Sequence, residues 1–83
     1  MLNVLYFARL REEFGLASEQ IGADPECGTV GALASALAAR GGAWKSLAQG
    51  GNVRVAVNQE IANSSTPLKA GDEIAFFPPV TGG

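Results

Sequence analysis

The chain closes on Glu73-Ile74-Ala75-Phe76-Phe77-Pro78-Pro79-Val80-Thr81-Gly82-Gly83. Its first five residues read as the last β-strand, with Phe76 and Phe77 at its end. Pro78-Pro79 ends that strand, because neither proline supplies a backbone N–H. The prolines are also stiff and extended, so the chain after them is projected outward. A Gly-Gly end is narrow enough to thread where any Cβ would clash. Termini usually fray in polar, disposable sequence; this one reads as built for use.

Working outward, Lys69-Ala70-Gly71-Asp72 is a turn with glycine where positive φ is cheap. Before it, Ile61-Ala62 is a short strand candidate, Asn58-Gln59-Glu60 a turn, and Asn63 to Pro67 a loop. Val53, Val55 and Val57 alternate with Arg54, Ala56 and Asn58, a strand with one buried face. Gly50-Gly51-Asn52 is a turn. At the other end of the chain, Leu2-Asn3-Val4-Leu5-Tyr6-Phe7 is a strand with two apolar faces, as a central strand would have. Ala8 to Phe14 switches to helical spacing, with Gly15 as its C-cap. Leu16 to Ala23 holds a weaker strand through Ser18-Glu19-Gln20-Ile21.

The main helix starts at Thr29, a good N-cap. Val30, Leu33, Ala34, Leu37 and Ala38 follow the spacing of one helical face. Gly31 weakens its first turn, Arg40 suits its last turn, and Gly41-Gly42 ends it. Trp44 and Leu47 fit one more short turn, with Trp44 capping the edge of the core. Strands outnumber helices, and a single helix is long enough to cover a sheet. The expected class is α+β, a mixed sheet packed on one main helix. The β-grasp (ubiquitin-like) order fits, with the first and last strands parallel and central.

An 83-residue chain forms one small core, and its 47% hydrophobic and 17% charged residues suit a folded domain. Residues 1–78 are expected to form this domain and 79–83 a flexible C-terminal tail. With six Lys and Arg and a net charge of −2, nucleic acid is an unfavourable partner. One cysteine, Cys27, and no histidine argue against a disulfide, a His-based zinc site or a His-dependent triad. No metal site is expected. No apolar run has the roughly 20 residues a membrane span needs, and Met1-Leu2-Asn3 lacks the basic start of a signal peptide. A cytoplasmic protein is the expectation.

If Leu2, Val4, Tyr6, Ile74 and Phe76 point at the helix, then Leu5, Phe7 and Phe77 face outward, with Ile61 a candidate to join them. Two readings of that face stand open. It is a docking surface leading to the tail, or it is covered by loops and the short first helix. Asn3 and Ala75 on the same face make a poor closed core, which favours docking. The tip of the tail offers one functional group, the α-carboxylate of Gly83. It is ionised at neutral pH and a poor electrophile until it is activated. Adenylation by ATP would supply a leaving group. A sulfur nucleophile would then leave a thiocarboxylate, and an amine would leave an isopeptide bond.

At this point the residues resemble a family. Val4-Leu5-Tyr6-Phe7-Ala8 with Arg11-Glu12, Ala56-Val57-Asn58-Gln59, and Gly71-Asp72-Glu73-Ile74-Ala75-Phe76-Phe77 with Pro78-Pro79-Val80-Thr81-Gly82-Gly83 are similar to the small subunit of molybdopterin synthase (the MoaD type). This is a ubiquitin-like sulfur carrier. The resemblance implies a chain adenylated at Gly83 by a ubiquitin-activating-type enzyme, then thiocarboxylated from a sulfur donor protein. It implies that Pro79, Val80, Thr81 and Gly82 thread into the large synthase subunit, where sulfur passes to cyclic pyranopterin monophosphate in molybdenum cofactor biosynthesis. It implies partner contacts through Phe7, Ile61 and Phe77 in a heterotetramer. The chain would bind no cofactor, ATP serving the activating enzyme. It would be a co-substrate and not an enzyme. Three alternatives remain beside this reading: a carrier for another pathway of the thiamin thiazole type, a protein-conjugating modifier, and a small interaction domain whose Gly-Gly end is accidental.

Overall fold

The computed structural model describes residues 1–22, 28–47 and 53–78. Five strands and two α-helices occur among them. They are β1 (Leu2–Tyr6), α1 (Arg9–Phe14), β2 (Ser18–Ile21), α2 (Val30–Ala38), β3 (Arg54–Val57), β4 (Glu60–Ile61) and β5 (Glu73–Phe77), with a 3₁₀ helix at Gly42–Leu47. The sheet order is β2-β1-β5-β3-β4. β1 and β5 run parallel at the centre, with Val4 beside Ile74 and Tyr6 beside Phe76. The other neighbours are antiparallel. This is the mixed sheet and single main helix of the β-grasp arrangement.

α2 forms for the reasons its spacing gives. The Thr29 side chain accepts a hydrogen bond from the Ala32 N–H at 3.1 Å, capping the first turn. Val30, Leu33 and Leu37 are buried along one stripe. With Leu2, Val4, Tyr6, Leu10, Leu47, Ile74 and Phe76, Leu33 and Leu37 form the core. Gly31 has a different role from the one its helix propensity suggests. A Cβ at this position would lie 3.0 Å from the Ser64 carbonyl oxygen, and its N–H donates to that same oxygen at 2.9 Å. The glycine therefore lets the 63–66 loop lie against the helix start and satisfy an N-terminal donor.

Arg40 also departs from expectation. The helix stops at Ala38, and Arg40 reaches back to β2. Its two terminal nitrogens donate to the two carboxylate oxygens of Glu19, each at 2.9 Å. The Tyr6 hydroxyl donates to the same carboxylate at 2.7 Å. The Arg40 guanidinium lies 4.5 Å from the centre of the Trp44 ring, which stacks on Phe14 at 4.0 Å. Trp44 thus closes one edge of the core. Hydrogen bonds from Arg40, and then from Tyr6, hold the Glu19 carboxyl below its usual range. Burial, and then the Glu19 contact, push the Tyr6 phenol above its ordinary value.

Three strands begin or end one residue from their expected limits, β4 at Glu60–Ile61 where Ile61-Ala62 is expected. β1 stops at Tyr6 and β3 starts at Arg54. In β3 the alternation differs from a single buried face. Val55 and Val57 are half-buried on the helix side, whereas Ala56 is 9% exposed on the other. Ala56 is small and sits between Ala75 and Ile61, so its neighbours shield it. The turn read at Gly50-Gly51-Asn52 lies outside the described residues, as does Cys27.

Candidate functional site

Alternation along a strand sends successive side chains to opposite faces. In β1 and β5 both sets are largely apolar, and α2 covers just one of them. Leu5, Ala75, Ala56 and Ile61 form a row across β1, β5, β3 and β4, each beside the next in register. At about 4.8 Å per strand, the row is roughly 14 Å wide. Beside it lie Phe7, Phe77 and Arg54, toward the end where β5 leaves the sheet. Arg54 is the register partner of Phe77, and the Phe7 N–H donates to the Phe76 carbonyl at 3.1 Å. Phe7 is 47% exposed and Ile61 74% exposed. Phe77 and Leu5 are half-buried by their neighbours. Phe7, Ile61 and Phe77, named from the sequence, therefore share one open face.

The backbone around Phe7 is held firmly. Ala8 has φ 53° and ψ −130°, a conformation that glycine adopts far more readily. It turns the chain sharply from β1 into α1. Leu10 and Arg11 donate backbone hydrogen bonds to the Phe7 and Ala8 carbonyls, each at 3.1 Å. Leu10, fully buried, anchors the turn from below. Phe7 is left on the outer side.

The start of β5 is fixed by a polar cluster that composition does not announce. Asn58 and Gln59 both have positive φ, 50° and 69°, in the tight turn between β3 and β4. The Asn58 amide nitrogen donates to Asp72 at 3.0 Å. Its amide oxygen accepts from the Glu73 N–H at 3.0 Å. Its backbone N–H donates to the Glu73 carbonyl at 2.8 Å. The second oxygen of Asp72 accepts from the Lys69 N–H at 2.9 Å. The Asn58 amide, and then the Lys69 N–H, hold the Asp72 carboxyl below its usual range. Two turns are thereby joined at the foot of β5, and the strand runs from this anchor to the tail. Asn58 and Asp72 stood in the motifs quoted above, but their pairing across the fold gave no local signal.

Pro78 is the last described residue. Pro79, Val80, Thr81, Gly82 and Gly83 lie outside the described residues, so the path of the tail is not part of this geometry. Among the described residues, no group of His, Cys, Asp and Glu side chains could hold a metal ion. No helix among them is long and apolar enough to cross a membrane. Among the described strand residues the open face is largely apolar, with Arg54 and Glu73 at opposite ends of it.

Comparison with known proteins gives this geometry a family. The model of the ThiS family matches residues 4–83, the Gly-Gly end included. The molybdopterin synthase sulfur carrier subunit of Escherichia coli (strain K12) is 43% identical over 83 residues, covering 100% of both chains. Among solved structures, small archaeal modifier protein 1 of H. volcanii is similar with a TM-score of 0.77 at 32% identity, over 95% of this chain and 97% of that one. A chain in the protein–protein complex of subunits 1 and 2 of molybdopterin-converting factor from Helicobacter pylori 26695 has a TM-score of 0.66 at 28% identity, over 99% and 97%. This chain therefore belongs to the ThiS family and, within it, to the molybdopterin synthase sulfur carrier subunits.

Proposed function

We infer that this chain is the sulfur-carrier subunit of a molybdopterin synthase. The observation that carries the reading is full-length likeness to a named sulfur carrier, Gly82-Gly83 included. An open apolar face ending at the root of that tail supports it. The chain is a co-substrate, and the catalytic side chains belong to its partner. That partner is the large synthase subunit, two of each making a heterotetramer.

The chemistry begins at Gly83. Its carboxylate attacks the α-phosphorus of ATP on a ubiquitin-activating-type enzyme and releases pyrophosphate. A sulfur nucleophile at the sulfide level, delivered by a donor protein, attacks the acyl carbon, and AMP leaves with the C–O bond. The product is a thiocarboxylate, ionised and nucleophilic near neutral pH. Phe7, Ile61 and Phe77 dock on the large subunit. Pro79 to Gly83 extend roughly 16 Å at about 3.3 Å per residue, enough to bring the sulfur to a recessed acceptor. The acceptor is cyclic pyranopterin monophosphate, and two deliveries build its dithiolene. The chain needs no cofactor of its own and works in the cytoplasm, where ATP is supplied.

A second reading has one observation in its favour, the likeness to a protein named as a modifier. The same acyl-adenylate accepts a lysine amine, and the product is then an isopeptide bond. The test is a peptide mass. The chain is incubated with ATP, a sulfur donor and its adenylating enzyme, then cut with trypsin. Cleavage after Lys69 releases Ala70–Gly83, which has neither Met nor Cys to mimic sulfur by oxidation. Replacement of one oxygen by sulfur, with alkylation of the new thioacid, is the expected result. An unmodified peptide beside an active enzyme control overturns the carrier reading, and lysine-linked adducts in its place favour the modifier.

A further inference from the structure

The open face carries an unevenly placed charge. Among the described strand residues on that face, the charged side chains are Arg54 and Glu73, four residue steps apart along the β3–β5 pair. That separates them by about 13 Å. Glu73 lies at the foot, beside Asn3. Arg54 lies at the other end, exposed, in register with Phe77 and next to the root of the tail. The ion pairs among the described residues are Arg9–Glu13 and Arg40–Glu19. Arg54 takes part in neither. Among the described residues no ion pair or side-chain hydrogen bond engages this guanidinium, although the chain as a whole carries a net charge of −2.

We propose that the large-subunit surface covering this face presents a carboxylate opposite Arg54, at the rim of the apolar contact where the tail departs. The inference rests on the partner named under the proposed function and adds the chemistry of that partner's rim. The planar fork of arginine matches a carboxylate with two parallel N–H···O bonds, which fixes orientation as well as distance. A pair at the edge of an interface acts on encounter and register more than on final affinity. Placed beside Phe77, it turns the docking chain so that Pro78 and the tail arrive at the partner's opening. The overall negative charge of the chain makes this local attraction more useful, because a partner that is also acidic would otherwise repel it.

The test measures association and dissociation rates of the chain with its large subunit by stopped flow, at low and high salt. Arg54→Gln is expected to slow association several-fold at low salt, and Arg54→Glu tenfold or more. Both differences should shrink at high salt, dissociation should change less, and the melting temperature should stay put. Reversing the opposing carboxylate on the large subunit to lysine should recover Arg54→Glu. An Arg54→Glu chain that associates as fast as the unaltered one, or slows equally at all salt concentrations, overturns the inference while the partner assignment stands. Failure of the unaltered chain to bind the large subunit removes the partner assignment and the inference together.

Discussion

One sheet presents two apolar faces with opposite fates. On the helix side, Leu2, Val4, Tyr6, Ile74 and Phe76 are each at most 2% exposed. On the other side, Phe7 and Ile61 remain 47% and 74% exposed, from equally apolar strands. The open face also carries Asn3, Glu73 and Arg54, yet its apolar members are as large as those on the inner face. What separates them is α2, whose Leu33 and Leu37 fill one face and leave the other uncovered. An apolar side chain in a strand thus reports that something will cover it, and says nothing about whether the cover is the same chain or a partner. Uncovered groups of this kind are a standing cost to a free monomer. They lie here on the face that runs up to Pro78, after which the proposed tail begins.

The largest effect expected on either face is loss of the cover itself. Leu33→Ala removes a fully buried side chain and should cost about 2–5 kcal/mol of stability in chemical denaturation. A cost near zero would mean that α2 does not hold the inner face. Phe77→Asp supplies the contrast. It should weaken binding to the large subunit by about 2 kcal/mol or more, roughly thirtyfold, with a smaller change in folding stability. If the melting temperature falls steeply while binding per folded molecule is unchanged, the two faces have been assigned in reverse.

A smaller effect is expected at the foot of β5. Asn58→Ala removes the amide that joins two turns, and it places alanine at φ 50°. The loss should be about 1–3 kcal/mol. Binding by the folded fraction should change less than stability, because Phe7 and Phe77 lie at the other end of the β1–β5 pair from Asn58. The smallest effect is on pH dependence. Glu19 and Asp72 have lowered folded pKa values, so their contribution is present above the ordinary carboxylate range and lost as pH falls below about 4.5. Tyr6 has a raised one, so its contribution is present below about pH 10 and lost above it. Thermal melts should show a plateau between these limits. Glu19→Gln should flatten the acid limb, and an unchanged limb would show that the Arg40–Glu19 contact contributes nothing across it.

Much of this was legible from local pattern. The strand Glu73–Phe77, the Thr29 cap, the Gly15 stop and the outward set Leu5, Phe7 and Phe77 follow from spacing and turn chemistry, while Ile61 is only a candidate there until the resemblance names it. Each depends on residues a few places apart, where periodicity carries information. Arg40 was misread as a helix-end cation because its partner Glu19 is 21 residues away. Gly31 was misread as a weakness because Ser64, which it accommodates, lies in a distant loop. Asn58 and Asp72 are 14 residues apart, and no pattern along the chain pairs them.

Read as a string, these 83 residues specify alternating strands, one amphipathic helix and a stiff run into Gly82-Gly83 with a single reactive group at its tip. Those properties are local, set by backbone geometry and side-chain spacing. The choice of buried face, the row from Leu5 to Ile61 and the meeting of Arg54 with Phe77 arise only on folding. The reason is range. Central strands largely apolar on both faces fix locally which residues share a face, and contacts between distant residues, from Glu19–Arg40 to Gly31–Ser64, hold the helix against one of them.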